Sequence, residues 1–482
     1  MSDCCAPLRS STTSNAGANA AYDLAVVGAG SAGFSAAITA AELGAKVVLI
    51  GHGTIGGTCV NIGCVPSKTM IRAAETLHQA KAALRFGGIE AEARLADWAK
   101  VQADKDDLVS SLRQAKYIDV LPSYSAVTYR EGRAKLVDGG LSVDGQLVSA
   151  GKVIIATGSA PAVPAIKGLE EVAYLTSTTA LELDHLPASL IVIGGGVIGV
   201  ELGQMFARMG AKVTILCRSR LLPPGEPEVS EALAAALRAE DIDVLCAVRY
   251  NALYQNAGIH LEYQKGGEDH IVSAEQLLLA TGRRPNSGDM DLEQQGVELS
   301  ANGGIRVDDH LRTTRKDVYA VGDVTGRDMF VYMAAYGAKI AAQHALGAAS
   351  RSYDNRAMPE VVFTDPQVAT VGLSEARARA QGHNVKTSLI GLEHVPRALA
   401  ARDTRGLIKL VADADSNALL GAHIIAPEGA DSIQSAAIAI KAGISVDDLG
   451  AMIFPYLTTV EGLKLAAQTF DKDVSKLSCC AG

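Results

Sequence analysis

YDLAVVGAGSAGFSAAITAAELGAKVVLI, from Tyr22 to Ile50, and ASLIVIGGGVIGVELGQMFARMGAKVTIL, from Ala188 to Leu216, are two versions of one segment set 166 residues apart. Gly28, Gly30 and Gly33 correspond to Gly194, Gly196 and Gly199, and Gly44-Ala45-Lys46 corresponds to Gly210-Ala211-Lys212. Each copy opens on a short apolar run, turns through glycines, continues as an Ala-rich or apolar stretch of helical length and closes on a second apolar run. That order predicts a buried strand, a tight turn, a helix and a second parallel strand. The glycine spacing has a physical meaning. The first glycine makes the turn, the second lets the backbone approach a pyrophosphate, and the third lets the helix pack against the strand with its N-terminal amides facing the anion. One such motif is weak evidence, but two in register, each in its full context, imply two dinucleotides.

The rest of the composition narrows the function. A chain of 482 residues allows roughly three domains. Its net charge of −9 and 4% aromatic content argue against a nucleic-acid or polybasic membrane surface. No apolar run is long enough to span a bilayer, and the opening MSDCCAPLRSSTTSNAGANA lacks a basic segment followed by an apolar one. A cytoplasmic protein with a disordered tail over residues 1–21 is therefore expected. The eight cysteines fall as Cys4-Cys5, Cys59 with Cys64, Cys217, Cys246 and Cys479-Cys480, too unevenly for a secreted disulfide framework. Cys217 and Cys246 lie in strand-like runs and read as small buried hydrophobes. Cys4-Cys5 read as part of a tail without function, with a vestigial metal-capture pair as the alternative.

The two nucleotides are told apart at the end of each second strand, where an acid would hold a ribose 2′-hydroxyl. Leu216 is followed by Cys217, Arg218, Ser219 and Arg220, so two guanidiniums stand where a 2′-phosphate would sit, and NADPH is favoured over NADH. In the first copy the acid position is Gly51, followed by His52. The ribose contact there is missing or supplied from elsewhere.

Directly after the first copy comes GGTCVNIGCVPSK, residues 56–68. On a regular helix, cysteines five apart rise about 7.5 Å, beyond disulfide reach. A disulfide between Cys59 and Cys64 therefore requires an irregular turn into a helix, which Gly56, Gly57 and Gly63 allow. A helix N-terminus would also favour the thiolate. This motif resembles the signature of the class I pyridine nucleotide-disulfide oxidoreductases, and the resemblance runs from Tyr22 to Gly482. Thr157-Gly158 in IIATGSAP is similar to the strand closing the family's FAD domain. Gly282 in ATGRRPN resembles the strand closing the NADP domain, and Asp323 in VYAVGDV the second FAD motif. The resemblance implies that Gly57, Thr58 and Lys68 belong to the FAD site, with Lys68 paired to Glu201. It further implies a relay from NADPH through FAD to a Cys59–Cys64 disulfide, with Cys64 the flavin-proximal thiolate and Cys59 the exchanging thiol.

The C-terminus separates branches of this family. Members acting on organic disulfides carry a His–Glu pair in a motif like HxHPTxxE, whereas the stretch here is FPYLTTVE. Thr458 and Glu461 align, but Tyr456 takes the histidine position, and a phenol of ordinary pKa near 10 is a poor proton shuttle. The chain ends KLSCCAG, and thiolates suit a soft metal. This pattern resembles the mercuric reductase branch. That resemblance implies Hg(II) as substrate, held successively by Cys479 and Cys480 and by Cys59 and Cys64, with Tyr456 and Tyr117 near the buried metal site. It also implies a homodimer in which the terminal cysteines serve the partner's site. No GMTCxxC-type accessory segment precedes the first motif. An organic-disulfide reductase and a non-catalytic mercury-binding protein are the competing readings.

The expected architecture is α/β and glutathione-reductase-like. The FAD domain is read over 22–159 and 287–357, the NADPH domain over 160–286, and an α/β dimerisation domain over 358–482.

Overall fold

A strand buried on both faces must be apolar along its whole length, and the first run of each repeat meets that condition: Leu24 to Val27 and Leu190 to Ile193 are buried without a break. In the computed structural model, which describes residues 20–349 and 351–474, the repeat recurs as geometry. Leu24 pairs with Val47 and Val27 with Ile50; 166 residues on, Leu190 pairs with Val213 and Ile193 with Leu216, all parallel. The chain forms two compact units, Met1–Gly57 with Arg113–Ser159 and Arg284–Tyr353, and Thr58–Leu112 with Ala160–Arg283 and Asp354–Gly482.

In the first unit the strands run in the order Val127–Glu131, Val47–Gly51, Tyr22–Val27, Gln146–Ile155, Gly140–Val143 and Ala134–Val137, with Val318–Ala320 also paired to Gln146–Ile155. Side chains alternate across this sheet. Leu24 and Val26 pack with the helices Ser31–Glu42 and Val331–Ala345, while Ala25 and Val27 pack with Leu136, Leu141 and Val143.

In the second unit a parallel sheet runs Asp243–Leu245, Lys212–Leu216, Ser189–Ile193 and Gln276–Leu279. Leu190 and Val192 face a core containing Phe206, Met205, Met70 and Trp98, whereas Ile191 and Ile193 face Leu253, Leu261 and Tyr263 of a three-stranded antiparallel sheet. A five-stranded sheet runs Pro359–Val362, Gln367–Gly372, Leu419–Ala426, Leu407–Asp413 and Val385–Gly391, all antiparallel, and shares one core with the helices Gly429–Ala442 and Glu461–Gln468. The two dinucleotide folds and the α/β C-terminal domain expected from the sequence are thus present. Among the described residues no helix is long and apolar enough to cross a membrane.

Candidate active site

The two glycine turns carry the same contacts. Gly28 N–H donates to Ile50 O at 2.7 Å, and Gly194 N–H to Leu216 O at 2.9 Å. A Cβ on either Gly28 or Gly194 would stand 2.2 Å from a carbonyl oxygen, of Ala156 or Ala280, and both residues have positive φ, 113° and 123°. One on Gly33 or Gly199 would stand 1.7 or 2.0 Å from the oxygen of Gly28 or Gly194. Any side chain there drives the helix off its strand.

Gly30 and Gly196 have the opposite environment. A Cβ on Gly196 would meet nothing within 4 Å, and one on Gly30 only Gly57 Cα at 3.5 Å. Both are N-cap residues without a side-chain cap, and neither helix has an acid in its first turn. Unfilled amides at an open glycine turn suit a pyrophosphate. FAD and NADPH fit these two turns. Gly57 is held to glycine by Gly30, whose Cα would lie 2.6 Å from its Cβ.

The remaining site candidates of the first unit lie on a turn and on short helical segments, Asp323 in the 3-10 helix Gly322–Thr325. Thr157 Oγ1 donates to Asn286 O at 2.7 Å, and Asn286 Nδ2 returns a bond to Thr157 O at 2.9 Å, which fixes the Thr157-Gly158 turn. Ser159 Oγ donates to Asp323 Oδ2 at 2.6 Å. Tyr117, in the π-helical turn Gln114–Ile118, stands edge-on to Phe34 with ring centroids 4.8 Å apart and its hydroxyl 3.2 Å from Ser31 Oγ. It therefore sits on the first turn of the glycine-motif helix. The missing acid at Gly51 has a steric cause: a Cβ there would stand 2.6 Å from Tyr129 Oη and 2.8 Å from Ala29 Cβ. Tyr129 drew no attention in the sequence because its side chain reaches Gly51 only across the paired strand.

In the second unit, the helix Gly57–Ile62 carries Thr58 and Cys59, the chain breaks at Gly63, and Cys64 opens the helix Cys64–Ala82. The break needs glycine, since a Cβ at Gly63 would lie 2.8 Å from Thr58 O. This is the irregular turn that the five-residue spacing requires. Four residues on from Cys64, and so on the same helix face, Lys68 Nζ pairs with Glu201 Oε2 at 2.7 Å. Glu201 is only 4% exposed, and its Oε1 accepts the Phe363 N–H at 2.8 Å. The Phe363 ring lies 5.0 Å from Lys68 Nζ. Phe363 was not legible in the sequence, because it acts through its backbone and comes from the distant dimerisation domain. Removing Lys68 costs about 3–5 kcal/mol, because the Glu201 carboxylate is left buried without its cation.

The two thiols differ in acidity. A hydrogen bond from Cys59, aided by the positive charge of Lys68, lowers Cys64 to about 7 against burial; the same bond, with burial, pushes Cys59 up. Both shifts favour the anion on Cys64 over Cys59. In reduced protein, alkylation of Cys64 should accelerate as pH rises through about 7, because only the deprotonated sulfur reacts. In Lys68→Met the midpoint should move up by on the order of one unit. A midpoint unchanged by the substitution would remove Lys68 from the thiolate's environment.

Of the two candidate phosphate arginines, Arg218 is exposed, whereas Arg220 Nη2 donates to Pro223 O at 2.9 Å and to Gly225 O at 2.7 Å. Replacing both by alanine should raise KM for NADPH on the order of tenfold, with little change for NADH, as expected for a lost charge-assisted contact. Arg218→Ala should carry the larger share, since Arg220 already spends donors on its own loop. Equal effects on the two nucleotides would exclude a 2′-phosphate contact. Gly282 lies just beyond the strand Gln276–Leu279, where its carbonyl accepts the Ala162 N–H at 2.9 Å.

Tyr456 is 55% exposed and precedes Leu457, whose backbone is left-handed with φ 61°. Buried Glu461 holds that turn by accepting the Leu457 N–H at 3.1 Å. The glutamate that partners a histidine in HxHPTxxE thus binds backbone here. Cys479 and Cys480, like Cys4 and Cys5, lie outside the described residues. Cys217 is 4% exposed within an apolar core, as expected, and half-buried Cys246 packs against that core, but the two sulfurs also stand 3.3 Å apart.

Residues 22–340 match the family described as pyridine nucleotide-disulphide oxidoreductase, and residues 358–467 match its dimerisation domain. A mercuric reductase of Staphylococcus aureus is 47% identical over 96% of the chain and 84% of its own length. One of Streptomyces lividans is 45% identical over 96% of the chain and 99% of its own length. Among solved structures, the HOCl-induced flavoprotein disulfide reductase of Escherichia coli superimposes with a TM-score of 0.81 at 29% identity, covering 93% of this chain and 99% of that one.

Proposed function

The chain belongs to the pyridine nucleotide-disulphide oxidoreductase family, and on that premise we propose that it is a mercuric reductase, an NADPH-dependent flavoprotein that reduces thiol-bound Hg(II) to elemental mercury. The observation that carries the reading is the Cys59/Cys64 pair, with its acidity split toward Cys64 beside Lys68 and Glu201, in a chain with tyrosine where organic-disulfide reductases keep a histidine. Bound NADPH and FAD would supply a hydride and an electron-pair relay, and Cys59 and Cys64 would take up that pair as their disulfide opens to two thiols.

Gly194, Gly196, Gly199 and Arg218 bind the NADPH, with Arg220 bracing the neighbouring loop. Gly28, Gly30, Gly33, Gly57, Thr58, Thr157, Gly158 and Asp323 hold the FAD, and Gly282 shapes the end of the nucleotide domain. Cys59 exchanges with the incoming metal complex, and Cys64 completes a two-thiolate site for Hg(II). Tyr456 and Tyr117 are aromatic neighbours of the metal path. Cys479 and Cys480 of the partner subunit pass Hg(II) inward by stepwise thiol exchange, which makes the homodimer the working unit. The match to a dimerisation domain supports that assembly. So does the exposed run Met452, Ile453, Tyr456 and Leu457 in this single chain. The cytoplasm, where thiols are kept reduced, suits this chemistry.

The test is the substrate dependence of NADPH oxidation by the purified flavoprotein. Hg(II) in excess thiol should drive it, and oxidised glutathione or lipoamide should not. The reverse order would assign the chain to the organic-disulfide branch.

A further inference from the structure

Cys217 and Cys246 form a second thiol pair, placed by strand register. Leu216 and Leu245 are partners in neighbouring parallel strands, and each cysteine is the next residue. The Cys217 N–H donates to Leu245 O at 2.9 Å, which holds the two chains side by side through this point. Adjacent strands lie about 4.8 Å apart, inside the Cα separation of about 4.4–6.8 Å that a disulfide spans. With the sulfurs 3.3 Å apart, closing the bond takes a movement on the order of 1 Å. Cys217 is 4% exposed, whereas Cys246 is half-buried and reachable. The Cys217 thiol donates to the Cys246 sulfur, and that bond, with the nearby Arg238 and Lys265 charges, lowers Cys246 to about 6. A reachable thiolate backed by a buried thiol is the arrangement in which one sulfur attacks and the other resolves.

The pair touches the second glycine turn. A Cβ on Gly195 would stand 2.9 Å from Cys217 Cβ and 3.2 Å from Cys217 Sγ. The loop that carries Arg218 is tied to both sides of the pair: Ala247 N–H donates to Ser219 O at 2.8 Å, Val248 N–H to Cys217 O at 3.2 Å, and Leu222 N–H to Gly195 O at 2.8 Å. A shift of Cys217 therefore reaches the Gly194-Gly195-Gly196 turn and the Arg218 loop together.

We propose that Cys217 and Cys246 form a reversible disulfide on exposure to organic disulfides, and that its formation weakens NADPH binding. The Cys246 thiolate attacks one sulfur of the organic disulfide and expels the other as a thiolate. Cys217 then gives up its proton, and its sulfur attacks Cys246 and expels the second organic thiolate. Two protein thiols lose two electrons and two protons, and one organic disulfide becomes two thiols. The consequence is a brake on NADPH consumption when the thiol pool is oxidised. The proposal rests on NADPH occupying this domain.

The experiment equilibrates the FAD-loaded enzyme with glutathione at set ratios of oxidised to reduced form. Peptides containing the two cysteines are examined by mass spectrometry, and NADP+ affinity is measured by calorimetry. A linked Cys217–Cys246 peptide should accumulate with oxidation while the Kd for NADP+ rises on the order of tenfold, and excess reduced glutathione should reverse both. In Cys246→Ser the Kd should not respond to the ratio, although Cys59 and Cys64 are intact. Absence of the linked peptide at the most oxidising ratio, or its formation with an unchanged Kd, overturns the proposal. Failure of the NADPH assignment would show separately, as a Kd for NADP+ no tighter than that for NAD+ in the fully reduced enzyme.

Discussion

Cys64→Ala should lose Hg(II) turnover by on the order of a thousand-fold or more, the scale reached when a group that enters the reaction itself is removed. After addition of NADPH it should also lack the long-wavelength absorbance that a thiolate donor lends to bound FAD. Cys64 stands first in the helix Cys64–Ala82, takes the Cys59 hydrogen bond and feels the Lys68 charge. Each of these favours its anion. Cys59 is pushed the other way by the same bond, so Cys59→Ala should lose turnover yet keep the absorbance. If the band survives in Cys64→Ala and vanishes in Cys59→Ala, the roles of the two sulfurs are reversed.

Cys479→Ala/Cys480→Ala should lose turnover of thiol-complexed Hg(II) to a comparable degree while keeping its FAD and its reduction by NADPH. Hg(II) arrives held by two thiolates, and its transfer proceeds by incoming thiols displacing outgoing ones. A vicinal pair can take over both ligands in two steps. Reduction of the Cys59–Cys64 disulfide involves neither terminal cysteine. Exchanging subunits with Cys59→Ala/Cys64→Ala protein should restore activity, because one hybrid site then holds both intact pairs. Verified hybrids that stay inactive would place the terminal pair in service of its own subunit.

What was legible in the sequence was whatever depends on spacing along the chain. The 166-residue repeat specified two strand–turn–helix–strand units, because Gly28, Gly33, Gly194 and Gly199 are each required by a contact within their own copy or with the strand closing it. The spacing of Cys59 and Cys64 with the glycines around them specified an irregular turn leading into a helix, and the structure adds that Lys68 stands on the same helix face as Cys64. What was not legible depends on groups brought together from far apart. Nothing near Gly51 announces that Tyr129 fills its side-chain space, and nothing near Glu201 announces the Phe363 amide. Arg220 reads as a phosphate ligand until its bonds to Pro223 and Gly225 are seen. Cys217 and Cys246 read as two apolar fillers because their pairing follows from strand neighbours 29 residues apart.

The most direct measurement of the central claim is the ratio of elemental mercury released to NADPH oxidised, with Hg(II) supplied in excess thiol. Reduction of Hg(II) takes two electrons and one NADPH supplies two, so the ratio should be one, with mercury leaving as vapour. NADPH oxidised without mercury release, or Hg(II) held by the protein without NADPH oxidation, would contradict the account.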